Sequence, residues 1–279
     1  MTAAEQNLGW QIASVAGHVA GRGIDEWFET GFAPVSDSRQ PEASAPELSP
    51  EYLMPCLATD RPVWVLLPAG ELRHKERWQA ECDNRDIQFG FGRAGLALAM
   101  GSIHRSGVPA QILAADSRSG MQLLTLMLKP GPGPGLCFSA LDGRIDGTNE
   151  LAGLLTKAQA AVPDIEVLVC PGYPQDRGLE RLMPFLGSLA RWNRPGLRWE
   201  FPEQTLPSAG VTGALWGLYW LLDGYRLGDW CQPGALLLLD EDSPLAGIIT
   251  VAPGDKRRPW QITGAPEVVA INGNRELSV

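Results

Sequence analysis

The sequence predicts an α/β fold assembled from two fused halves of similar design. Three observations carry this. A turn–helix–strand unit occurs twice, at 92–116 (GRAGLALAMGSIHRSGVPAQILAAD) and at 210–240 (GVTGALWGLYWLLDGYRLGDWCQPGALLLLD). Each copy runs Gly-x-x-Gly, apolar helix, glycine, proline, apolar strand and terminal Asp. Short apolar runs alternate with helical segments, the pattern of parallel strands covered by helices on both faces. At 279 residues and 44% hydrophobic, the chain can build one large domain or two halves with their own cores.

Taken in order, residues 8–31 mix apolar positions with glycines and suit a short strand or helix start plus turns. Residues 33–50 are rich in Pro, Ser, Ala and Glu with little to bury, so a mobile loop is expected. Residues 63–67 (VWVLL) read as a buried strand stopped by Pro68 and Gly70, and the charged run 71–86 as an exposed helix. In the first repeat, Leu96, Leu98, Met100 and Ile103 among alanines make a helix that must pack deep, and 110–115 is its strand. Segments 121–128 and 136–140 read as strands joined by the stiff, irregular KPGPGPG at 129–135.

The junction between halves is placed at the turn 142–147, giving units 1–141 and 142–279. Residues 149–161 form a helix with Thr148 as N-cap. Residues 165–170 read as a buried parallel strand and 178–191 as an amphipathic helix kinked at Pro184. A strand starts at 198–200, the second repeat follows, and 245–251 is the last strand.

The net charge of −9 argues against nucleic acid or an anionic membrane as the main partner. The uncharged run 207–222 is too short and glycine-rich for a comfortable membrane span. Five widely spaced cysteines form no C-x-x-C pair and no zinc pattern, and residues 1–7 carry no basic export signal. A cytoplasmic location is expected. No cofactor and no metal is expected: Asp240, Glu241 and Asp242 read as a solvated turn.

Two fused halves, each with a glycine-rich turn leading into a buried helix, resemble the thiolase superfamily and specifically the β-ketoacyl synthases. The resemblance covers about 63–251 and implies a layered α-β-α-β-α architecture. Residues 92–97 are similar to that family's nucleophile elbow, a Cys followed by small residues and an Ala-Leu-rich helix. VCPGYPQDRGLERL (169–182) is similar to its first histidine loop, and LPSAGVTGALWGL (206–218) to its second. The resemblance thus puts Gly92 at the cysteine, Pro171 near the first histidine and Pro207 at the second. Condensation needs a thiolate to carry the acyl chain and two imidazoles to stabilise the enolate oxyanion. Glycine and proline supply neither, and His18, His74 and His104 lie elsewhere. The resemblance therefore implies a scaffold without the catalysis.

Two site residues stay open between readings. Arg93 follows the vacated position at a helix N-terminus, where a cation is unfavourable by a few tenths to about 1 kcal/mol. Either it binds something acidic, with Asp176 and Arg177 as further pocket residues, or it plugs the pocket by pairing with a buried Asp. Cys170, at a strand end, is either a relocated nucleophile or a small core residue.

Three functions follow as expectations. The first is a pseudoenzyme that binds another protein. The resemblance to degenerate thiolase-like proteins of type VI secretion effector clusters makes it an adaptor or chaperone, as a homodimer or as a heterodimer with a thiolase-like sibling. The second is acyl transfer through Cys170. The third is an inactive partner subunit of a working ketosynthase.

Overall fold

The computed structural model describes residues 9–19, 22–23, 48–82, 86–117, 121–142, 150–172, 182–189, 191–205, 210–240 and 245–254. The strands are β1 (Gly9–Val19), β2 (Arg22–Gly23), β3 (Val63–Leu67), β4 (Ile87–Phe91), β5 (Ala110–Asp116), β6 (Gln122–Gly131), β7 (Gly135–Asp142), β8 (Val167–Val169), β9 (Arg198–Glu200), β10 (Gly234–Leu239) and β11 (Ala246–Ala252). The α-helices are α1 (Pro50–Leu53), α2 (Lys75–Glu81), α3 (Gly95–Ser106), α4 (Glu150–Ala161) and α5 (Gly210–Leu227).

The strands run in the order β4-β3-β5-β6-β1-β7-β11-β10-β8-β9, with β2 attached to β1. This order is the same motif written twice, β4-β3-β5-β6-β1 facing β9-β8-β10-β11-β7. Directions match as well. From each outer edge inward, the pairings are parallel, parallel, antiparallel, antiparallel. The two units touch through one residue pair, Gly9 opposite Gly135. We assign β7 to the second unit on this symmetry, which moves the junction from the expected 141/142 division to the turn 132–134.

That turn is closely enclosed. A Cβ on Gly9 would lie 1.7 Å from Gly133 O, and one on Gly254 2.2 Å from Pro132 O. The Trp10 amide donates to Pro134 O at 2.8 Å.

The repeated helices form the middle layer. α3 packs on β3 and β4 of its own unit and on β7 and β11 of the other, while α5 packs on β10 and on β5 and β6 across the junction. Covered by sheet on both sides, α5 can be apolar all round, and its run from Gly210 to Tyr219 is buried throughout. Leu96, Met100, Leu215, Trp216 and Leu218 anchor this central core. One outer layer buries Trp78 of α2 with Leu53, Val65 and Leu67. The other buries Leu151, Leu154 and Leu155 of α4 with Trp192. The result is the expected α-β-α-β-α stack. No helix of the described residues is long and apolar enough to cross a membrane.

Several expectations are corrected. The sheets are mixed, because β6 and β11 return antiparallel through tight connections rather than through helical crossovers. Residues 9–19 form one long strand instead of a short start plus turns. β4 was not anticipated. The exposed helix at 71–86 is a 3₁₀ segment Ala69–His74 followed by α2, ending before Cys82. Within the expected helix 178–191, Met183–Leu189 is a 3₁₀ segment; Pro184 lacks an amide proton, which suits a tight turn better than an α-helical interior. KPGPGPG is irregular only at its centre, since β6 runs through Gly131 and β7 begins at Gly135. The loop 33–50 ends earlier than expected, with Leu48 buried and Pro50 opening α1. Residues 33–47, Thr148 and 178–181 lie outside the described residues.

Candidate functional site

The first repeat builds a tight elbow. β4 stops at Phe91, the chain turns through 92–94, and α3 starts at Gly95. Gly92 takes φ +68°, and a Cβ there would lie 2.4 Å from Asp240 Oδ2, so both backbone angle and space call for glycine. Gly95 lets the helix start sit directly on β4: its Cβ would come 2.7 Å from Gly90 C.

Arg93 sits at the tip, and the second unit surrounds it. Its backbone N–H donates to both carboxylate oxygens of Asp240, at 3.0 Å to Oδ1 and 2.8 Å to Oδ2. Its guanidinium forks onto Glu203: Nη2 donates to Oε2 at 2.7 Å and Nη1 to Oε1. Arg93 is 7% exposed, Glu203 4% and Asp240 2%, so the cluster is closed to bulk water. Glu203 follows β9 in a short 3₁₀ segment, Pro202–Thr205. Its carboxylate occupies the place where a Cβ on Gly213 of α5 would stand, 2.4 Å from Glu203 Cδ. The second repeat's Gly-x-x-Gly therefore makes room for the first repeat's arginine partner.

The electrostatics are consistent. A lone cation at the start of α3 would oppose the helix dipole. Two carboxylates and one guanidinium leave a single negative charge facing that positive helix end. The planar fork satisfies two guanidinium donors with one carboxylate.

The second elbow mirrors the first. Gly210 takes φ +44°, the Val211 N–H donates to Asp116 Oδ2 at 3.3 Å, and Thr212 Oγ1 donates to Gln122 Oε1 at 2.7 Å. Asp116 and Asp240 are the terminal Asp residues of the two repeat copies.

The residues singled out from sequence fare differently. Gly92 and Arg93 lie together at the elbow. Arg93 pairs with a buried carboxylate, but with Glu203; the buried Asp240 takes its backbone amide instead. Asp240 is no solvated turn residue, because it caps a helix inside the core. Pro171 is buried directly after β8 and Cys170. Asp176, Arg177, Pro207, Glu241 and Asp242 lie outside the described residues. His104 accepts from Trp10 Nε1 at 3.4 Å, far along α3 from the elbow, and His74 accepts from Arg73 on the surface. No group of three or more metal-ligating side chains occurs among the described residues.

Cys170 is 1% exposed within the outer core, and burial pushes its thiol far above the usual range. A thiol so held resists forming the thiolate that nucleophilic attack requires. In the native protein, a thiol reagent is expected to modify the exposed Cys231 and Cys137 and leave Cys170 intact until unfolding. Mass spectrometry of the modified peptides checks this; early labelling of Cys170 would restore the nucleophile reading.

Glu203 was missed from sequence. The one available signal was indirect: an arginine at a helix N-terminus needs a carboxylate, and Glu203 lies next to a strand end in a segment of few charges.

A repeated sheet of this order, enclosing two central helices that start from glycine elbows, defines a thiolase-superfamily fold of the ketosynthase kind. The chain superposes on the oxazolomycin ketosynthase domain OzmH KS8 of Streptomyces albus JA3453 with a TM-score of 0.59 at 11% identity, covering 92% of this chain and 98% of that one. Against the ishigamide ketosynthase/chain length factor the TM-score is 0.53 at 11% identity, covering 88% and 99%. Against the acyltransferase ChlB3 it is 0.51 at 13% identity, covering 88% and 98%. The likeness at these identities is one of fold. No family model matches the sequence, and no curated protein is similar to it.

Proposed function

We propose that this chain is a non-catalytic thiolase-like protein that acts by binding another protein. The observation that carries the reading is the Arg93–Glu203–Asp240 cluster. The resemblance puts the ketosynthase nucleophile in the elbow that begins at Gly92. The side chain held at its tip is a guanidinium, which donates hydrogen bonds but neither attacks a thioester nor accepts a proton. Carboxylates that hold this guanidinium and the adjoining amide fill the space around it, in a setting without imidazole among the described residues. The scaffold is kept while the reaction centre is occupied by an ion pair.

The resemblance to thiolase-like proteins of type VI secretion clusters supports a secretion effector as the partner, with this chain as adaptor or chaperone. A thiolase-like sibling, in a homo- or heterodimer, is the other partner it supports. Purification of the tagged protein from its native cells, with mass spectrometry of stoichiometric co-purifying chains, tests the reading. Recovery of an effector or a thiolase-like sibling, with no turnover of acyl-thioesters, is expected. Turnover of acyl-thioesters, or an acylated cysteine, would overturn it. An acyl carrier protein with an intact ketosynthase would move the assignment to an inactive ketosynthase subunit.

A further inference from the structure

The two elbows share an arrangement that concerns the whole chain rather than the vacated reaction centre. Asp240 ends β10 of the second unit, yet it holds the N-terminal amide of α3 in the first. Asp116 ends β5 of the first unit, yet it holds the N-terminal amide of α5 in the second. Two further contacts cross in the same way, Glu203 to Arg93 and Thr212 to Gln122. Nine polar or charged residues are buried among the described ones: Arg93, Gln111, Asp116, Gln122, Gln159, Glu203, Thr212, Asp240 and Thr250. Six of the nine belong to these crossing contacts. By contrast, Gln111 bonds within its own unit, to Ala58 N and Cys56 O, and so does Gln159, to Ser188 O.

We infer that Asp116 and Asp240 form a reciprocal interlock, in which each half supplies the N-terminal cap for the other half's central helix. A helix start leaves orphan amides that must be satisfied when it is buried. Here neither half can satisfy its own. The central helix of one unit is fully capped only when the strand end of the other is in place, so the halves become ordered as a single unit. The inference is independent of what the protein binds.

Amide hydrogen exchange on the full-length protein tests it. Asp240→Ala is expected to speed exchange in α3, across the junction, about tenfold, and more than in α4 of its own unit. Asp116→Ala is expected to speed α5 more than α2. Exchange that rises as much or more in the substituted residue's own outer helix overturns the interlock. Should either alanine variant fail to fold, Asp240→Asn and Asp116→Asn, which keep one acceptor oxygen, are read by the same comparison. Asp164→Ala, at an exposed pair with Arg194, serves as the control and should leave α3 and α5 unchanged.

Discussion

Glu203→Ala is expected to destabilise the protein by about 3–5 kcal/mol, because it strands a buried guanidinium without its charge partner. Arg93 is 7% exposed and cannot swing into water without opening the contact between the two units. The informative comparison is the double variant Arg93→Met/Glu203→Leu. Replacing both members with apolar side chains of similar volume removes two desolvation costs together, so its stability should return to the parent level or exceed it by roughly 1–4 kcal/mol. Denaturant midpoints at constant slope give both numbers. A single variant within about 1 kcal/mol of the parent would mean the pair behaves like a solvated surface bridge. A double variant as unstable as the single would make the pair itself the source of stability.

Gly92→Ala should have the next largest effect. The φ of +68° alone costs a side chain roughly 1–2 kcal/mol. The new methyl would also meet Asp240 Oδ2 at 2.4 Å and push the carboxylate off the Arg93 amide. Overpacking of that kind adds about 1–3 kcal/mol. Gly107 separates the two contributions, since it ends α3 with φ +65° and has nothing within 4 Å of an added Cβ. Gly107→Ala should therefore cost only the backbone part. Equal losses at both positions would show that Asp240 moves aside at no cost.

Much of this fold was legible in the sequence, and the reasons are local. The repeated unit was readable because both central helices are covered on every side, which leaves uninterrupted apolar runs with glycine turns at each end. β5 and β10 are buried on both faces and read as continuous apolar strands for the same reason. β1 was not readable as a full strand. Its pairing with β6 shifts register between Ile12 and Ser14, and an irregularity there breaks the two-residue alternation that marks a half-buried strand. β4 hid behind Gly90, a residue disfavoured in strands and required here by the closeness of Gly95. The site was half legible. A cation at a helix start pointed to Arg93, but its partner lies 110 residues away and no short-range pattern reaches that far. The sheet order was beyond reach as well, because tight β5–β6 and β10–β11 returns look, from composition, like any other strand pair.

The turn at 132–134 has a practical meaning. A Pro-Gly stretch between two strands looks like the natural place to cut, tag or permute this chain, since such segments are commonly loose and exposed. Here Gly133 and Pro134 are buried, and backbone from Gly9 and Gly254 closes over the turn at distances that leave no room for a side chain. Splicing a linker into it would pry apart the seam at Gly9 and Gly135, where the two sheets join. A protein engineer would do better to leave that join intact and attach cargo elsewhere.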